Sequence, residues 1–465
     1  MLLLSTFLSG CAAIRQEAVP TTAPPSLAAN FPNAGLPGQM ESPVRQASFD
    51  CPVHGQASGS VPNQDTTLFT GLIELSVDAL VEQVIVRNPS MAQMTAAWQA
   101  ASARYPQVIA FDDPMFGFMA APASIGSNNV EFGYRVEVSQ KLPFCGKREF
   151  RGQSALAEAS ATRHDVDDVR LQLIESARSA LADYYLAERA LGVNEDGLRL
   201  LRSFRNRAKD RYEKVPGANE QDMLQADVEL GRQEQRQITL ARVRSVAVAR
   251  INTLLHQAPA SHLPPPPQDL VVRASLPDAA KLHSLALARR PDLSALAERI
   301  KAEEASLGLA QKEYFPDVEI SAAYDTIMGN GPARDLAPQI GVRVNVPLQR
   351  ARRDGAVAEA QARVAQRRAE LVKQIDQTNF QVHEAYELVH ESVRIVEVYE
   401  KKLLPAASGN VKAAETSYVG GRIPFVSLIE AQRNVVELQD RFYEAKAELC
   451  RRWAMLERVL GGPAG

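Results

Sequence analysis

Aromatic residues, tryptophan and cysteine are scarce in this chain of 465 residues. Aromatic side chains make up 6% of the sequence, with two tryptophans and four cysteines. So few cysteines exclude a small fold held together by several disulfides. The chain instead has long tracts rich in Ala, Leu, Glu, Arg and Gln, which have high helix propensity. This composition favours a mainly helical protein in which small side chains let helices pack closely.

Motifs of catalysis are also lacking. The sequence contains no nucleophile–base set, no glycine-rich phosphate loop, no Cys-x-x-Cys and no His-Glu-x-x-His. Its seven histidines are scattered, and the shared helix face of His383 and His390 is typical of packing or surface. The formal net charge is −3, which does not favour nucleic acid as a partner. We interpret the chain as non-enzymatic.

No run of 18 apolar residues occurs, so no transmembrane helix is predicted. Residues 1–11 are rich in leucine and fit the apolar part of a secretory signal. They end in Leu8-Ser9-Gly10-Cys11, which resembles the lipobox of bacterial lipoproteins, where the cysteine is acylated. This resemblance implies a covalent lipid on Cys11 and, because Ala12 follows, delivery to the outer membrane. The alternative is an ordinary signal peptide with a chance cysteine.

Residues 12–70 are predicted to be a linker rich in Pro, Ala, Ser, Thr and Gly. Within it, Asp50-Cys51-Pro52-Val53-His54 resembles the metal-binding segments of metal efflux systems. Cys51 and His54 are ligand types suited to copper, silver or zinc. A structural zinc site usually has four ligands, so the alternative is a chance pair. No cofactor is predicted apart from the lipid.

The rest of the chain consists of two similar halves. A set of anchor residues recurs at offsets of 202 to 206 residues: Pro89, Pro143, Tyr212 and Ala226 return as Pro291, Pro347, Tyr418 and Ala431. Solenoid units have periods of roughly 20–50 residues, so this is a duplication of a whole half. We assign residues 71–262 to the first repeat and residues 263–465 to the second. Such pseudo-symmetry suits a closed tube better than an enzyme cleft.

Each repeat contains segments that alternate between polar and apolar residues, which is typical of strands. Residues 131–139, 318–324 and 340–346 alternate clearly, and residues 115–119 do so less well. In a soluble sheet the apolar face would cover a core, whereas in a membrane barrel it would face lipid. Four strands cannot close a barrel in lipid, so the membrane interpretation requires two, three or four copies.

A long helix is predicted after the second strand of each repeat. Residues 147–214 contain no proline and would reach roughly 100 Å as one helix. Residues 354–419 are similar but are interrupted by Pro405. A Gly/Pro turn and a return helix follow each, at residues 220–255 and 425–460. A coiled-coil scaffold would have the same pattern, but its combination with short strands favours a membrane-tethered tunnel.

Two stretches resemble the TolC family of outer-membrane efflux channels. Residues 139–148 are similar to that family's strand-to-helix junction, and residues 418–432 are similar to its helix-hairpin tip. The resemblance covers residues 75–461. It implies a mainly α fold with long α-helical hairpins and four strands per protomer. It also implies a homotrimer with a twelve-stranded outer-membrane β-barrel and a periplasmic α-barrel.

The same resemblance implies partners and site residues. Family members work with a periplasmic adaptor and an inner-membrane pump, and the hairpin tips meet the adaptor. The tip residues here are Tyr212, Pro216, Gly217, Tyr418, Gly420, Gly421 and Arg422. A constriction of acidic residues follows the second tip in this family. Glu430 occupies one such position, and Ser427 stands where many members have Asp. Asp222 lies at the matching position of the first tip, where by analogy it could bond Tyr418 or Arg422. The alternative for each is a solvated helix face.

We therefore predict a lipid-anchored outer-membrane channel that extends into the periplasm and serves a tripartite efflux system as a passive duct. Heavy-metal cations are the predicted cargo. Within the same family, the alternative cargo is a drug, another organic compound or a polypeptide of type I secretion. From another class, the alternative is a periplasmic coiled-coil scaffold or adaptor, which would form no barrel.

Overall fold

The structure is a computed structural model that describes residues 68–69, 71, 73–120, 132–144, 146–214, 220–270, 276–328 and 338–463. Contacts divide the chain after Gln64, and all the elements below belong to the unit Asp65–Gly465. The first repeat contributes α1 (Val77–Arg87), α2 (Pro89–Ile109), β1 (Met115–Ala120), β2 (Phe132–Leu142), α3 (Lys147–Lys214) and α4 (Gln221–Leu254). The second contributes α5 (Ala279–Arg289), α6 (Pro291–Lys312), β3 (Val318–Met328), β4 (Gln339–Val344), α7 (Arg350–Val398), α8 (Leu404–Val419) and α9 (Phe425–Val459). The same order of elements thus occurs twice.

The anchor prolines Pro89 and Pro291 each occupy the first turn of a helix. Proline suits this position because its missing N–H would have no helical partner there. A polar residue next to each proline holds the corner between the two consecutive helices in place. Asn88 accepts from the Ser90 N–H at 3.0 Å and donates to the Leu254 carbonyl at 3.0 Å. In the second repeat, Asp292 accepts two hydrogen bonds from Arg290, at 2.7 and 2.9 Å. The repeated sequence therefore encodes a repeated helix–helix corner.

Helix α2 continues through Pro106 and ends at Ile109. Pro106 lies in its last turn, where the missing N–H costs a single helical hydrogen bond and the helix stops soon afterwards. Helix α3 is 68 residues long, as predicted, and packs against α2, α4, α6 and α9. It therefore contacts helices of both repeats.

The second long helix is divided by a π-helical turn at Tyr399–Leu403, just before Pro405. Proline cannot donate a backbone hydrogen bond, and its ring crowds the carbonyl four residues earlier. A wider turn relieves this crowding without ending the helix. Helix α8 continues to Val419, so the interruption predicted at Pro405 is present as a π-helical turn.

The strands form one antiparallel sheet in the order β1-β2-β3-β4. Phe118 pairs with Val136, Val138 with Ala322, and Ile320 with Val342. Each of these pairs brings apolar residues to the same face, because side chains alternate along a strand. Strands β1 and β4 are the edges of this sheet. Among the described residues, no helix is long and apolar enough to cross a membrane.

Three clusters of buried apolar side chains hold the helices together. Two lie around the α1 and α5 helices, one in each repeat. The third, here called the tip cluster, joins α3, α4, α8 and α9 beside the helix turns. It consists of Leu201, Phe204, Ala208, Ala226, Val411, Tyr418, Phe425, Leu428, Ile429 and Ala431. The repeat anchors Ala226 and Ala431 are both in this cluster, which explains the small residue at each position.

Candidate functional site at the sheet and the hairpin tips

The apolar face of the sheet is uncovered in the single chain. Phe116 and Phe118 are 70% and 62% exposed, and Ile340 and Val342 are 83% and 66% exposed. Covering a large apolar side chain stabilises by roughly 1.5–3 kcal/mol. A contiguous apolar patch of this kind marks an interaction surface, because monomeric soluble proteins rarely expose one.

The opposite face of the sheet is polar and cross-linked by charges. Glu137, which is 9% exposed, accepts hydrogen bonds from Arg135 at 3.3 Å and from Arg343 across the sheet. Arg343 also lies 3.5 Å from Glu319. Ser139 and Ser321 face the same way and are buried. The sheet thus separates an apolar face from a hydrophilic face.

The tip of the second hairpin is a tight turn between α8 and α9. The Arg422 N–H donates to the Ser417 carbonyl at 2.8 Å, and the Gly421 N–H donates to the Tyr418 carbonyl at 3.0 Å. This is the Schellman arrangement, which needs a left-handed residue after the helix. Gly421 supplies it with φ of +68°. The Gly-Gly pair is therefore explained by the turn itself.

Tyr418 connects the two hairpins. Its hydroxyl donates to Asp222 at 3.0 Å, and the Arg211 guanidinium lies 5.1 Å from the centre of its ring. Only 2% of Tyr418 is exposed. Burial, together with the charge of Asp222, raises the pKa of Tyr418 to about 12, so the phenol stays protonated as a donor. The sequence predicted that Asp222 lies within reach of Tyr418, and these two residues are in contact.

A second polar link lies about two helical turns farther from the tip. Glu229 on α4 is 4% exposed and accepts hydrogen bonds from Arg433 on α9 and from Arg232, the latter at 3.3 Å. Burial would raise the pKa of Glu229, but these two arginines outweigh it and hold the pKa below its usual range. A buried carboxylate paired in this way stays charged and holds α4 against α9.

Sequence reasoning missed this link, although a signal for it exists. Glu229 and Arg433 are 204 residues apart, and so are Arg236 and Asp440, which also form an ion pair. This separation is close to the repeat offset. Matching positions of the two repeats therefore carry opposite charges, and α4 and α9 lie side by side so that the charges meet.

Glu430 lies on the exposed surface of α9 between two grooves. One groove, of about 310 Å³, is lined by Glu229, Arg433 and neighbouring side chains of α4. The other, of about 440 Å³, includes the half-buried Ser427 and residues of α8. Glu430 thus reaches solvent at the level of the tip cluster. Its place in a pore stays a prediction.

The remaining predicted tip residues differ in exposure. Tyr212, Gly420, Gly421 and Arg422 are exposed at the hairpin ends. Tyr418 is buried, so its ring is not part of the exposed tip surface.

Several predicted residues lie outside the described part of the chain: Pro216, Gly217, Cys11, Cys51 and His54. Within the described ranges, no group of three or more His, Cys, Asp or Glu side chains could hold a metal ion.

Comparison with known proteins addresses the family. Residues 282–462 match the model of the outer membrane efflux protein family. CusC, whose structure is described in terms of folding and transmembrane channel formation, superimposes with a TM-score of 0.72 at 17% identity. That match covers 85% of this chain and 94% of CusC. The resemblance to the TolC family is confirmed.

Two further structures have the same TolC-like fold. A membrane protein from Pseudomonas aeruginosa has a TM-score of 0.71 at 19% identity, covering 83% of this chain and 93% of that protein. The outer membrane protein VceC from Vibrio cholerae has a TM-score of 0.70 at 18% identity, covering 84% and 97%. No protein in the curated set matches the chain. The predicted TolC-like architecture of long helical hairpins with four strands is therefore confirmed, and each repeat contributes two of the strands.

Proposed function

We propose that three copies of this chain assemble into an outer-membrane channel. In this assembly the three sheets close into one twelve-stranded barrel, and the helices continue it as a duct through the periplasm. The observation that carries the proposal is the sheet itself, which combines an exposed apolar face, a charged polar face and two open edges. Open edges are not tolerated in lipid, and membrane barrels begin at about eight strands.

The duct is passive and carries no catalytic group. Its hairpin tips meet a periplasmic adaptor, which in turn engages an inner-membrane pump. The exposed Tyr212, Gly420, Gly421 and Arg422, together with Pro216 and Gly217, form the adaptor surface. Tyr418 has a different role, because its buried hydroxyl bonds Asp222 and holds the two hairpins together. Weakening that bond would loosen the contact between α8 and α4.

Heavy-metal cations are the cargo that we propose. Two features support them: the Cys51–His54 pair in the linker, and the exposed carboxylate of Glu430 near the tip. Three copies of Glu430, with Ser427 beside it, would surround a narrow lumen with like charges that concentrate cations. The proposal is tested by growth of cells with and without the gene in copper, silver or zinc salts, compared with growth in organic dyes. Protection from dyes alone would assign the organic cargo instead.

The assembly is tested on detergent-extracted protein. Native mass spectrometry is expected to show three copies of the chain, and the protein is expected to form conducting pores in planar bilayers. A folded monomer that stays soluble without detergent would contradict the channel and favour the coiled-coil scaffold.

A further inference from the structure

The base of the sheet, where strands become helices, contains an ion pair that joins the two repeats. Lys147, at the start of α3, is 1% exposed, and its ammonium lies 2.8 Å from Asp317, which immediately precedes β3. Lys147 also donates to the Phe315 carbonyl at 3.1 Å, and Asp317 accepts from the Phe144 N–H at 2.9 Å. The end of β2 is thereby tied to the beginning of β3.

The outer strands β1 and β4 also reach this base of the sheet, but no ion pair of this kind joins them. Strand β1 begins after Asp112-Asp113-Pro114, and β4 leads through residues 345–349 into α7 at Arg350. Because all neighbouring strands are antiparallel, the start of β1 and the end of β4 both lie at the base. These two edges would meet if copies of the sheet joined into a ring.

We call the place where β2 ends beside β3 the closed junction, and the place where the edges β4 and β1 of neighbouring copies would meet the open junction. Because of the duplication, the open junction has the same sequence pattern as the closed junction. Pro143 precedes Lys147 by four residues, and Pro347 precedes Ala351 by four, with Arg350 and Arg352 on either side of Ala351. On the acidic side, Asp113 follows Phe111 by two residues, just as Asp317 follows Phe315. Each junction thus combines basic residues at the beginning of a helix with an acidic residue just before a strand.

The charged side chains at the open junction form no ion pairs within the described part of the chain. Asp112, Asp113, Arg350 and Arg352 are exposed, and none forms an ion pair with another described residue. Their neighbours are already engaged: Arg353 donates to the Glu313 carbonyl at 2.7 Å, and Asp354 accepts from Tyr314. The unpaired acids lie at one edge of the sheet and the unpaired arginines at the other.

We infer that Asp112 and Asp113 of one copy pair with Arg350 and Arg352 of the next copy, and that these pairs fasten the ring at the base of the barrel. The inference rests on the proposed function, because it requires the sheets of neighbouring copies to join. Adjacent strands lie about 4.8 Å apart, so the long arginine side chains reach across the junction. Lys147 and Asp317 make the equivalent contact inside each copy.

Charge reversal tests the pairing. Two double variants are made, Arg350→Glu/Arg352→Glu and Asp112→Arg/Asp113→Arg, and a third variant combines all four changes. We expect each double variant to lower the temperature at which the detergent-extracted oligomer dissociates by about 5 °C or more. The combined variant is expected to regain most of that loss, because the charges match again. The control is Arg202→Glu/Arg242→Glu, two exposed arginines on α3 and α4.

The outcomes separate this pairing from the channel itself. Circular dichroism first establishes that each variant keeps the helix content of the wild type. An oligomer whose dissociation temperature is unchanged by every reversal would overturn the pairing and leave the channel intact. Loss on reversing the arginines, without rescue by the reversed acids, would also overturn it and assign the arginines to another ligand such as anionic lipid. A folded wild-type monomer would overturn both.

Discussion

At the scale of single residues, Tyr418 shows how one side chain joins a turn to a distant helix. Its backbone carbonyl belongs to the turn of α8, its ring belongs to the tip cluster, and its hydroxyl reaches Asp222 on α4. A hydrogen bond to a charged acceptor contributes about 1.5–3 kcal/mol. Because the bond is nearly buried, we expect solvent to replace it poorly when it is lost.

Tyr418→Phe is expected to loosen the tip without unfolding the protein. Loss of the hydroxyl leaves Asp222 without its donor, so amide hydrogen exchange at residues 416–422 should accelerate by about tenfold or more. Tyr212→Phe is the matched control, because Tyr212 holds the corresponding repeat position but is exposed. Equal exchange rates in wild type and Tyr418→Phe would show that the bond does not hold the tip.

The pH dependence of the tip has a definite sign. The pKa of Tyr418 is raised to about 12, whereas a tyrosine in an unfolded chain titrates near 10. The contribution of the protonated phenol is therefore complete below pH 10 and is lost as the pH rises toward 12. Between pH 10 and pH 12, amide hydrogen exchange at the tip of the wild type should therefore accelerate because Tyr418 loses its proton. Tyr418→Phe has no phenol to titrate, so this contribution to the acceleration should be absent from the variant.

Glu430 is the residue that we expect to bias the channel toward cations. Glu430→Gln should reduce cation selectivity in planar bilayers and weaken block by multivalent cations, because three confined carboxylates hold counterions strongly. Assembly should be unchanged. Glu195→Gln, an exposed acid on α3, is the control. If conductance, selectivity and block of Glu430→Gln all match the wild type, Glu430 lies on a solvated outer face.

At the scale of elements, the return helices α4 and α9 end in the same turn built from different residues. After α4, the His256 N–H donates to the Thr253 carbonyl and the Gln257 N–H to the Asn252 carbonyl, with His256 at φ of +54°. After α9, Gly461 and Gly462 make the equivalent bonds, with Gly461 at φ of +78°. The duplication has therefore preserved a Schellman turn while one repeat accepts a strained histidine.

His256→Gly and Gly461→Ala are expected to act in opposite directions on the thermal transition. Removing the Cβ at position 256 relieves about 1–2 kcal/mol of left-handed strain and costs about 0.5–1 kcal/mol of chain entropy, so stability is kept or rises slightly. A Cβ at position 461 would lie 2.8 Å from the Arg289 backbone, so stability should fall by about 2 kcal/mol or more. A destabilising His256→Gly would show that the exposed imidazole makes a contact of its own.

At the scale of the whole molecule, we expect the N-terminal lipid and the proposed barrel to attach the chain to the membrane independently of each other. Cys11→Ala should leave a protein that lacks the lipid and is uncleaved or mislocalised, while Cys51→Ala should behave as wild type. Mass spectrometry of the mature N-terminus measures this directly. An unmodified N-terminal residue downstream of Cys11 would contradict the lipobox interpretation.

The sequence alone determined the elements and their repetition. Helix α3 was predictable because residues 147–214 contain no proline, and the strands were predictable because polar and apolar residues alternate in them. These are local properties, since helix propensity and strand alternation depend on neighbours in the chain. The two halves were recognisable because the anchor residues recur at nearly constant offsets along the chain.

Only the tertiary structure decided which distant residues meet. The pairs Glu229–Arg433 and Lys147–Asp317 depend on how each helix is rotated about its axis, which is set by packing of the whole bundle. Likewise, the exposed state of Phe116 and Ile340 follows from the order of four strands that leaves one face uncovered. Periodicity states that a strand has an apolar face, but only the assembled sheet determines whether anything within the chain covers it.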